Sequence, residues 1–321
     1  MRVAFHVNEI LERGTGVAVY DYAHYNEAIL GNRSILVTRG PEHCQPEALQ
    51  RCRARFEVVH YGAGDRLEED ALAPRGVDVL VAIKSGERDG VLTRGIRCAV
   101  QAVFQRNEPH GHVYAYNSEW LARRMQGAAG RFVPHIVHPP ADSADLRSQL
   151  GIPRDAIVFG RHGGPTTFDL TWVPPVVTTV ARRRRDLHFV FLNTTFPRPR
   201  FRALSKNVHF LPATVDPAAR SRFINTCDAM IHARQGGESF GLACAEFSAH
   251  GKPVITWSGG VDRAHHEILG ASALLYEDGA QLEELLMRFE PDPSRRWDVV
   301  TGRYSPERVM QRFREVVLDG A

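Results

Sequence analysis

The stretch RQGGESFGLACAEFSAHGKPVIT, residues 234–256, carries two glutamates, Glu238 and Glu246, eight positions apart. An apolar segment, AMIHA at 229–233, precedes it, and a second, PVITW at 253–257, overlaps its end. Apolar runs of this length predict buried strands, and the glycines between them predict a loop followed by a helix. Strand, loop, helix and strand in this order form a βαβ unit, which predicts a parallel sheet.

The same alternation extends in both directions from this stretch. Predicted strands lie at 2–7, 34–38, 56–62, 77–84 and 97–105, and then at 156–161, 187–194, 208–213, 229–233 and 253–257. The segment 131–140 is predicted as a short strand that runs into a proline-rich turn. Predicted helices lie at 17–30, 117–127, 240–250 and 305–318. Repeated strand–helix units of this kind predict an α/β protein with two doubly wound domains that face each other.

A change in composition marks the boundary between the two domains. The polar, proline-bearing segment 139–155 interrupts the strand–helix alternation and is interpreted as a linker. We therefore expect a first domain over 1–138 and a second over 156–303. A C-terminal helical segment, 304–321, is expected to pack back on the first domain.

Length and composition restrict the class of protein. A chain of 321 residues is long for a single hydrophobic core, which favours two domains. A net charge of +3 is too small by itself to indicate a nucleic-acid or membrane partner. Five cysteines without metal-ligand spacing favour a reduced, cytoplasmic setting. We expect neither a signal peptide nor a transmembrane segment.

The loop before Glu238 and the helix after it predict a site for an anion. Free backbone N–H groups at 239–242, together with the helix dipole, favour a negatively charged group such as a diphosphate. Glycines such as Gly241 allow the backbone to approach that anion. If the whole interval were helical, Glu238 and Glu246 would lie about 12 Å apart along the axis. Each carboxylate is a good acceptor for paired hydroxyls, so the two acids are predicted to flank a sugar nucleotide.

The segment GGESFGLACAEFSAHGKPVI, residues 236–255, resembles the E-x7-E signature of glycosyltransferase family 4. The flanking segments at 223–234 and 258–260 resemble the same core, and the likeness covers most of residues 156–260. It implies the GT-B fold, with two Rossmann-like domains facing across a cleft. The short first domain is similar to that of compact viral and bacterial members.

The resemblance also implies roles for residues of the motif. Glu238 would contact hydroxyls of the donor sugar near the reaction centre, and Glu246 would bind the ribose. The backbone amides of Ser239, Phe240 and Gly241 would touch the sugar and the phosphates, next to the amide of Leu242 at the helix start.

Arg161 matches a basic residue that the family places on the diphosphate. The family usually adds a lysine about five residues later, where this chain has Thr166. Arg234 is a candidate to supply the missing charge. The backbone from Leu211 to Thr214 lies where the family holds the nucleotide base.

The first domain supplies further candidates. Gly14 and Gly16 resemble the glycine turn that approaches the donor phosphate. His110 is matched to the family's histidine near the sugar, and Lys84, at the end of a predicted strand, is a further cleft candidate.

The reaction implied by the resemblance is attack of an acceptor hydroxyl on the anomeric carbon, with retention of configuration, while a nucleoside diphosphate leaves. Arg161, Arg234 and the helix N-terminus would stabilise the developing phosphate charge. The expected partners are a nucleotide-sugar donor, which is a substrate, and a glycan, lipid-linked glycan or other hydroxyl acceptor. The chain has no Asp-x-Asp motif, so neither a metal nor a cofactor is expected.

Two alternatives remain open at this stage. The weak basic excess and the arginine run 182–185 are compatible with a transferase that modifies DNA bases, although nucleic acid is not the favoured partner. The missing lysine is compatible with a non-catalytic protein that binds sugar nucleotides. Nucleotide-sugar epimerases share the architecture, but no residue singles them out.

His265 and His266 are adjacent and therefore point different ways on a helix, so they are not interpreted as a metal site.

Overall fold

Six strands of the first half form a parallel sheet in a computed structural model that describes residues 1–196 and 205–320. The strands are β1 (Arg2–His6), β2 (Arg33–Thr38), β3 (Glu57–His60), β4 (Val79–Lys84), β5 (Arg97–Ala102) and β6 (Val113–Tyr116). They lie in the order β3-β2-β1-β4-β5-β6. All six residues of β4 are buried, as expected for a strand of a parallel sheet that is covered on both faces.

Three α-helices belong to this part of the chain: α1 (Thr15–Ala28), α2 (Pro46–Arg53) and α3 (Glu119–Gln126), and a π-helix spans Leu67–Leu72. The helix predicted at 117–127 is confirmed as α3. The Ser118 hydroxyl accepts a hydrogen bond from the Leu121 amide at 3.1 Å, which caps its start. Gly127 follows with φ +68°, a conformation that ends the helix.

The strand predicted at 131–140 is wrong. Within the described residues, this segment pairs with the sheet through a single isolated bridge between Phe132 and Tyr116. Proline has no N–H group to donate to a neighbouring strand, and Pro134 follows the bridge almost at once.

The second half of the chain forms another six-stranded parallel sheet, in the order β14-β12-β10-β7-β8-β9, and a two-stranded ladder of β11 with β13. The strands are β7 (Ile157–His162), β8 (Leu187–Leu192), β9 (Val208–Leu211), β10 (Ala229–His232), β11 (Gly237–Glu238), β12 (Val254–Trp257), β13 (Asp262–Arg263) and β14 (Ala273–Tyr276). The helices are α4 (Arg147–Leu150), α5 (Val173–Arg183), α6 (Pro217–Thr226), α7 (Leu242–Ala249), α8 (Ala264–Leu269) and α9 (Gly279–Arg288).

Side chains alternate between two hydrophobic cores, one on each face of the second sheet. Phe159 and Phe189 pack into one core, whereas Val158 and Val190, their neighbours along the strands, pack into the other. This alternation follows from the two-residue period of a strand, and it explains why the strand sequences are apolar throughout.

By its internal contacts the chain divides into two units. The first contains residues 1–136 together with the C-terminal segment that starts at Tyr304, and the second contains Val137–Arg303. In the C-terminal segment, α10 (Pro306–Phe313) continues as a π-helical turn to Leu318, which confirms the helix predicted at 305–318. The last residue of the predicted segment 304–321 lies outside the described residues.

The C-terminal helix packs within the first unit through aromatic contacts. The ring centroid of Phe313 lies 5.8 Å from that of Phe5 on β1 and 5.9 Å from that of Tyr22 on α1. The Arg312 guanidinium donates to the carbonyl oxygen of Phe132 at 2.8 Å.

The segment 139–155 packs on the second unit. Leu146 contacts one of its two cores. The Arg147 guanidinium pairs with the Asp228 carboxylate at 2.8 Å, just before β10.

Both large sheets share one strand order when their strands are counted along the chain: 3-2-1-4-5-6. The order reverses between β1 and β4 in the first sheet and between β7 and β10 in the second. In sheets of this type, ligands bind beyond the carboxyl ends of the strands at the point of reversal. The loops that follow β7 and β10 are therefore where a ligand of the second unit is expected.

Candidate functional site

The loop from β10 to α7 leaves the second sheet at its point of reversal. Within this loop, β11 pairs with β13 in parallel, and Glu238 lies opposite Arg263. α7 begins at Leu242, two residues later than the predicted start at 240. Glu238 therefore lies on a short strand ahead of the helix, and Glu246 lies within the helix.

Gly241 makes the turn from β11 into α7 possible. Its φ is +90°, in the left-handed region that favours glycine. A Cβ atom at this position would lie 2.7 Å from the Cβ of His265 and 3.3 Å from the Cβ of Glu238. A side chain at this position would therefore press on His265 and Glu238.

Glu238 is held by one arginine and one histidine. Arg234 Nη1 donates to Oε2 at 2.7 Å, and His232 Nε2 lies 3.2 Å from Oε1. Burial raises the pKa of Glu238, but the His232 hydrogen bond and the charges of Arg234 and Arg161 outweigh it, so the pKa lies below its usual range. The side chain is 22% exposed, so an ionised carboxylate faces solvent with lone pairs that can accept from hydroxyl groups.

Glu246 has the same two kinds of partner in a more buried place. Arg220 Nε lies 3.0 Å from Oε1, and His162 Nε2 lies 3.1 Å from Oε2. The His162 ring stacks on Phe247, with ring centroids 5.9 Å apart. Burial raises the pKa of Glu246, but Arg220 and His162 lower it to about 2. Glu246 is therefore a permanent carboxylate at neutral pH.

No side chain caps the N-terminus of α7, where Gly241 occupies the N-cap position. The N-terminus of α1, which follows Gly14, also lacks a side-chain cap. A serine or aspartate side chain caps α3, α6, α9 and α10, whereas α4, α5 and α8 lack a side-chain cap from the described residues, as α7 and α1 do. An uncapped N-terminus presents N–H groups and a positive dipole end, which favours an anion.

Ser239, Phe240 and Leu242 surround this helix start. Phe240 is 2% exposed, so its ring belongs to the core. Ser239 is half-buried, and Leu242 is the first residue of α7. The positions predicted to act through their amides therefore lie together at the N-terminus of one helix.

Arg161 lies on β7 and is almost completely buried. Its Nη1 donates to the Gly164 carbonyl at 3.1 Å and to the Thr194 hydroxyl, and its Nη2 donates to the Thr167 hydroxyl at 2.6 Å. Burial lowers the pKa of Arg161 to about 10, so the group stays charged at neutral pH. Arg161 thus holds the loop after β7 in place through these hydrogen bonds. Its positive charge also lowers the pKa of Glu238.

Leu211 and Thr214 lie further from the point of reversal. Leu211 ends β9, which β8 separates from β7. Thr214 lies in the loop before α6, where its hydroxyl accepts from the Asp216 amide at 3.1 Å. Thr166, where the family usually has lysine, is exposed in the loop after β7.

The glycines predicted in the first unit form the turn between β1 and α1. Gly14 has φ +54° and precedes the helix. A Cβ atom on Gly16 would lie 2.0 Å from the carbonyl oxygen of Leu11, so the backbone leaves no room for a side chain there.

His110 and Lys84 also belong to the first unit. His110 Nδ1 donates to the Glu108 carbonyl at 2.6 Å, and its ring packs beside Tyr114. Lys84 Nζ donates to the Asp89 carboxylate and is buried. Lys84 is therefore half of a buried ion pair.

Sequence reasoning named Arg234 but missed the other three residues that hold the two acids. His162 follows Arg161 directly but has no sequence relation to Glu246, and neither has Arg220. His232 is the last residue of β10 and reads as part of an apolar strand. His162 comes to lie beside Glu246 only when the sheet has formed. The local sequence pattern therefore does not predict this contact.

The described residues contain no group of three or more His, Cys, Asp or Glu side chains arranged to hold a metal ion. Over those residues, no helix combines the length and the apolar character that crossing a bilayer requires.

Several solved structures share this fold along their whole length. HepE of Anabaena, solved in complex with UDP-glucose, superposes with a TM-score of 0.71 over 99% of this chain and 100% of its own, at 14% identity. A glycosyltransferase from Rickettsia africae gives a TM-score of 0.68 over 99% and 98%, at 11% identity. A putative UDP-N-acetylglucosamine 2-epimerase from Listeria monocytogenes gives 0.63 over 100% and 97%, at 10% identity.

No protein-family profile matches the sequence, and no curated protein is significantly similar to it in sequence. At identities of 10–14% the structural likeness is evidence for the fold alone. The chain has the α/β GT-B fold with two Rossmann-like units, as the resemblance implied.

Proposed function

We propose that this chain is a retaining glycosyltransferase of the family 4 type, which transfers a sugar from a nucleoside diphosphate to a hydroxyl acceptor. The observation that carries the proposal is the pair Glu238 and Glu246. Both are held as carboxylates, one ahead of the uncapped N-terminus of α7 and one inside that helix. HepE, which shares the fold, was solved with UDP-glucose.

The donor would lie along the start of α7. The diphosphate would accept hydrogen bonds from the amides around Gly241 and Leu242 and would face the charge of Arg234. Glu238 would accept hydrogen bonds from the sugar hydroxyls. Glu246 would accept from the ribose hydroxyls, using lone pairs that Arg220 and His162 leave available.

In the reaction, the oxygen of the acceptor hydroxyl forms a bond to the anomeric carbon, and the bond from that carbon to the phosphate oxygen breaks. The electron pair stays on the leaving nucleoside diphosphate, which also takes the acceptor proton. The new bond forms on the face that the phosphate leaves, so the configuration is retained. Arg234, Arg161 and the start of α7 stabilise the charge on the leaving group.

Roles in the first unit stay predictions. Gly14 and Gly16 would let the backbone approach the donor phosphate, and His110 would contact the sugar. In the second unit, the backbone from Leu211 to Thr214 would contact the base. We propose a glycan or lipid-linked glycan as acceptor and chemistry that needs no metal or cofactor.

Donor binding tests the proposal first. UDP and UDP-glucose are expected to raise the melting temperature of the wild-type protein, because a ligand that binds only the native state stabilises it. Glu238→Gln, which keeps the side-chain shape, should abolish nucleotide release from UDP-glucose. Glu284→Gln is a matched control, because Glu284 is an exposed acid of α9 in the same unit. Unchanged turnover in Glu238→Gln would remove Glu238 from the mechanism.

The same assay separates the other functions of the fold. Donor binding without transfer or hydrolysis would indicate a non-catalytic binding protein. Conversion of UDP-N-acetylglucosamine into its C2 epimer would indicate an epimerase, in line with the Listeria structure.

A further inference from the structure

Three buried side chains form a row of hydrogen bonds behind Glu238. His232 on β10 and Thr256 on β12 are directly paired in the register of the sheet. His232 Nδ1 lies 2.9 Å from the Thr256 hydroxyl, and that hydroxyl lies 3.2 Å from Nε2 of His265 on α8. At its other end, His232 Nε2 lies 3.2 Å from Glu238 Oε1. The row therefore runs from the interior of the unit to the carboxylate.

All members of the row other than Glu238 are withdrawn from solvent. Thr256 is 0% exposed, His265 is 1% exposed and His232 is 5% exposed. Buried polar groups are costly unless they are hydrogen-bonded. Valine has the same shape as threonine and fits a buried strand position without that cost. The hydroxyl, with its hydrogen bonds, is therefore what distinguishes threonine at position 256.

The carboxylate of Glu238, at one end of the row, determines which atom donates in each hydrogen bond. The Glu238 carboxylate can only accept, so a neutral His232 must carry its proton on Nε2. Nδ1 of His232 is then an acceptor, and the Thr256 hydroxyl donates to it. The Thr256 oxygen in turn accepts from Nε2–H of His265. With neutral imidazoles, each close pair within the row then has one donor and one acceptor, whereas Nδ1 of His265 is buried without a hydrogen-bond partner among the described residues.

We propose that His232 is a positioning residue for Glu238 and that Thr256, held by His265, donates to Nδ1 of His232 and so keeps the ring neutral, with its one proton directed at the carboxylate. The functional consequence rests on the proposed role of Glu238 in binding the donor sugar. His232 fixes Oε1 and Arg234 fixes Oε2, so the carboxylate cannot rotate and its remaining lone pairs keep one direction. The Tyr276 hydroxyl, which donates to the His232 carbonyl at 2.8 Å, holds the strand end in place.

The first arm of the test measures the tautomer and needs no substrate. The full-length protein is labelled with ¹⁵N-histidine, and the two ring nitrogens of His232 are identified as the signals lost in His232→Gln. We expect a protonated Nε2 and an unprotonated Nδ1 in the wild-type protein. Thr256→Val, which keeps the shape and removes the hydroxyl, should leave Nε2 protonated and let Nδ1 take a second proton, because no donor then occupies the Nδ1 lone pair. Thr256→Ser should keep the wild-type signals.

The second arm measures consumption of UDP-glucose. Loss of one hydrogen bond that orients a catalytic group corresponds to about a tenfold fall in kcat. We expect that fall in Thr256→Val, with the KM for UDP-glucose changed by less than about threefold, because binding and chemistry separate when only orientation is lost. Thr256→Ser should stay within about twofold of the wild-type protein.

The outcomes distinguish this proposal from the proposed function. A wild-type His232 that is protonated on Nδ1, or on both nitrogens as in a plain ion pair, would overturn the tautomer assignment. An Nδ1 that stays unprotonated in Thr256→Val would overturn the role given to the Thr256 hydroxyl. Normal kcat in Thr256→Val with both ring nitrogens protonated would overturn the positioning role. If the wild-type protein does not consume UDP-glucose, the proposed function loses its support, and the tautomer arm still decides whether the row orients Glu238.

Discussion

Glu238 and Glu246 carry the same charge, and each has one arginine and one histidine partner, yet the chain assembles the two sites differently. The partners of Glu238 come from the strand end and the loop directly before it. The partners of Glu246 come from two other elements, β7 and α6. The side chain of Glu238 is 22% exposed and that of Glu246 is 10% exposed.

This difference separates two kinds of carboxylate. Glu238 is a local site with an open side, where water or a ligand can replace a lost partner. Glu246 is a tertiary site, where the ion pair depends on β7, α6 and α7 packing together. A charge in a buried pair interacts strongly, but it is costly when the partner is removed, because water cannot solvate it. The Glu246 site is therefore expected to be coupled to the stability of the fold, and the Glu238 site to function.

The largest expected effect comes from removing Arg220. Arg220→Met should lower the free energy of unfolding by about 3–5 kcal/mol, because it leaves a buried carboxylate without its cation. Arg234→Met should cost about 1 kcal/mol or less, since Glu238 is partly solvated. Denaturant unfolding followed by tryptophan fluorescence measures both changes. Three of the four tryptophans, Trp172, Trp257 and Trp297, lie in the second unit.

Two controls make the comparison specific to the buried acid. Arg222→Met removes a 45% exposed partner of Asp142 from the same helix, and we expect a loss of about 1 kcal/mol or less. Combining Arg220→Met with Glu246→Gln should recover part of the stability, because the uncompensated charge is gone. If Arg220→Met and Arg234→Met lowered the free energy of unfolding equally, the distinction between the buried Glu246 site and the partly solvated Glu238 site would be wrong.

The second prediction concerns acid. The pKa of Glu246 falls from an ordinary value of 4.5 to about 2 on folding. A folded pKa below the unfolded one stabilises the protein above pH 4.5, and that stabilisation is lost as the pH falls toward 2. At about 1.4 kcal/mol per pKa unit, the full contribution is on the order of 3 kcal/mol. The stability advantage of the wild-type protein over Glu246→Gln should therefore shrink between pH 6 and pH 3.

The comparison between the two acids sharpens this measurement. Glu238→Gln should show a smaller loss of pH dependence, because Glu238 is more exposed. Glu284→Gln, which alters an exposed acid, should follow the wild-type curve. If the stability of Glu246→Gln varied with pH as that of the wild-type protein does, folding would not change the pKa of Glu246. Its ion pairs would then not stabilise the ionised carboxylate.

Local pattern predicted most of the architecture. Apolar runs and caps, such as Ser118 for α3 and Ser305 for α10, act within a few residues and are visible in the sequence. The predictions failed where a long-range contact or a backbone conformation determines the local structure. The segment at 131–140 has apolar residues but also prolines that cannot donate to a sheet, and α7 starts only after Gly241 has turned the chain.

The candidate site divides in the same way. The motif located Glu238, Glu246 and Arg234, because their spacing is local. It could not locate Arg220, which reaches Glu246 from another helix once the sheet has brought α6 and α7 together. Contacts of this kind depend on strand order, and strand order is a property of the whole unit rather than of any one segment.

The smallest expected effect tests whether the turn at Gly241 fixes Glu238. Gly241→Ala should lower the free energy of unfolding by about 2 kcal/mol, because alanine resists a positive φ and its Cβ would press on His265 and Glu238. Gly236→Ala is the matched control, since it lies in the same loop, without a positive φ and with open space for a Cβ, and should change stability by less than about 0.5 kcal/mol. Denaturant unfolding gives both values. If Gly241→Ala cost no more than Gly236→Ala, the loop would adapt freely. The position of Glu238 would then come from its arginine and histidine partners alone.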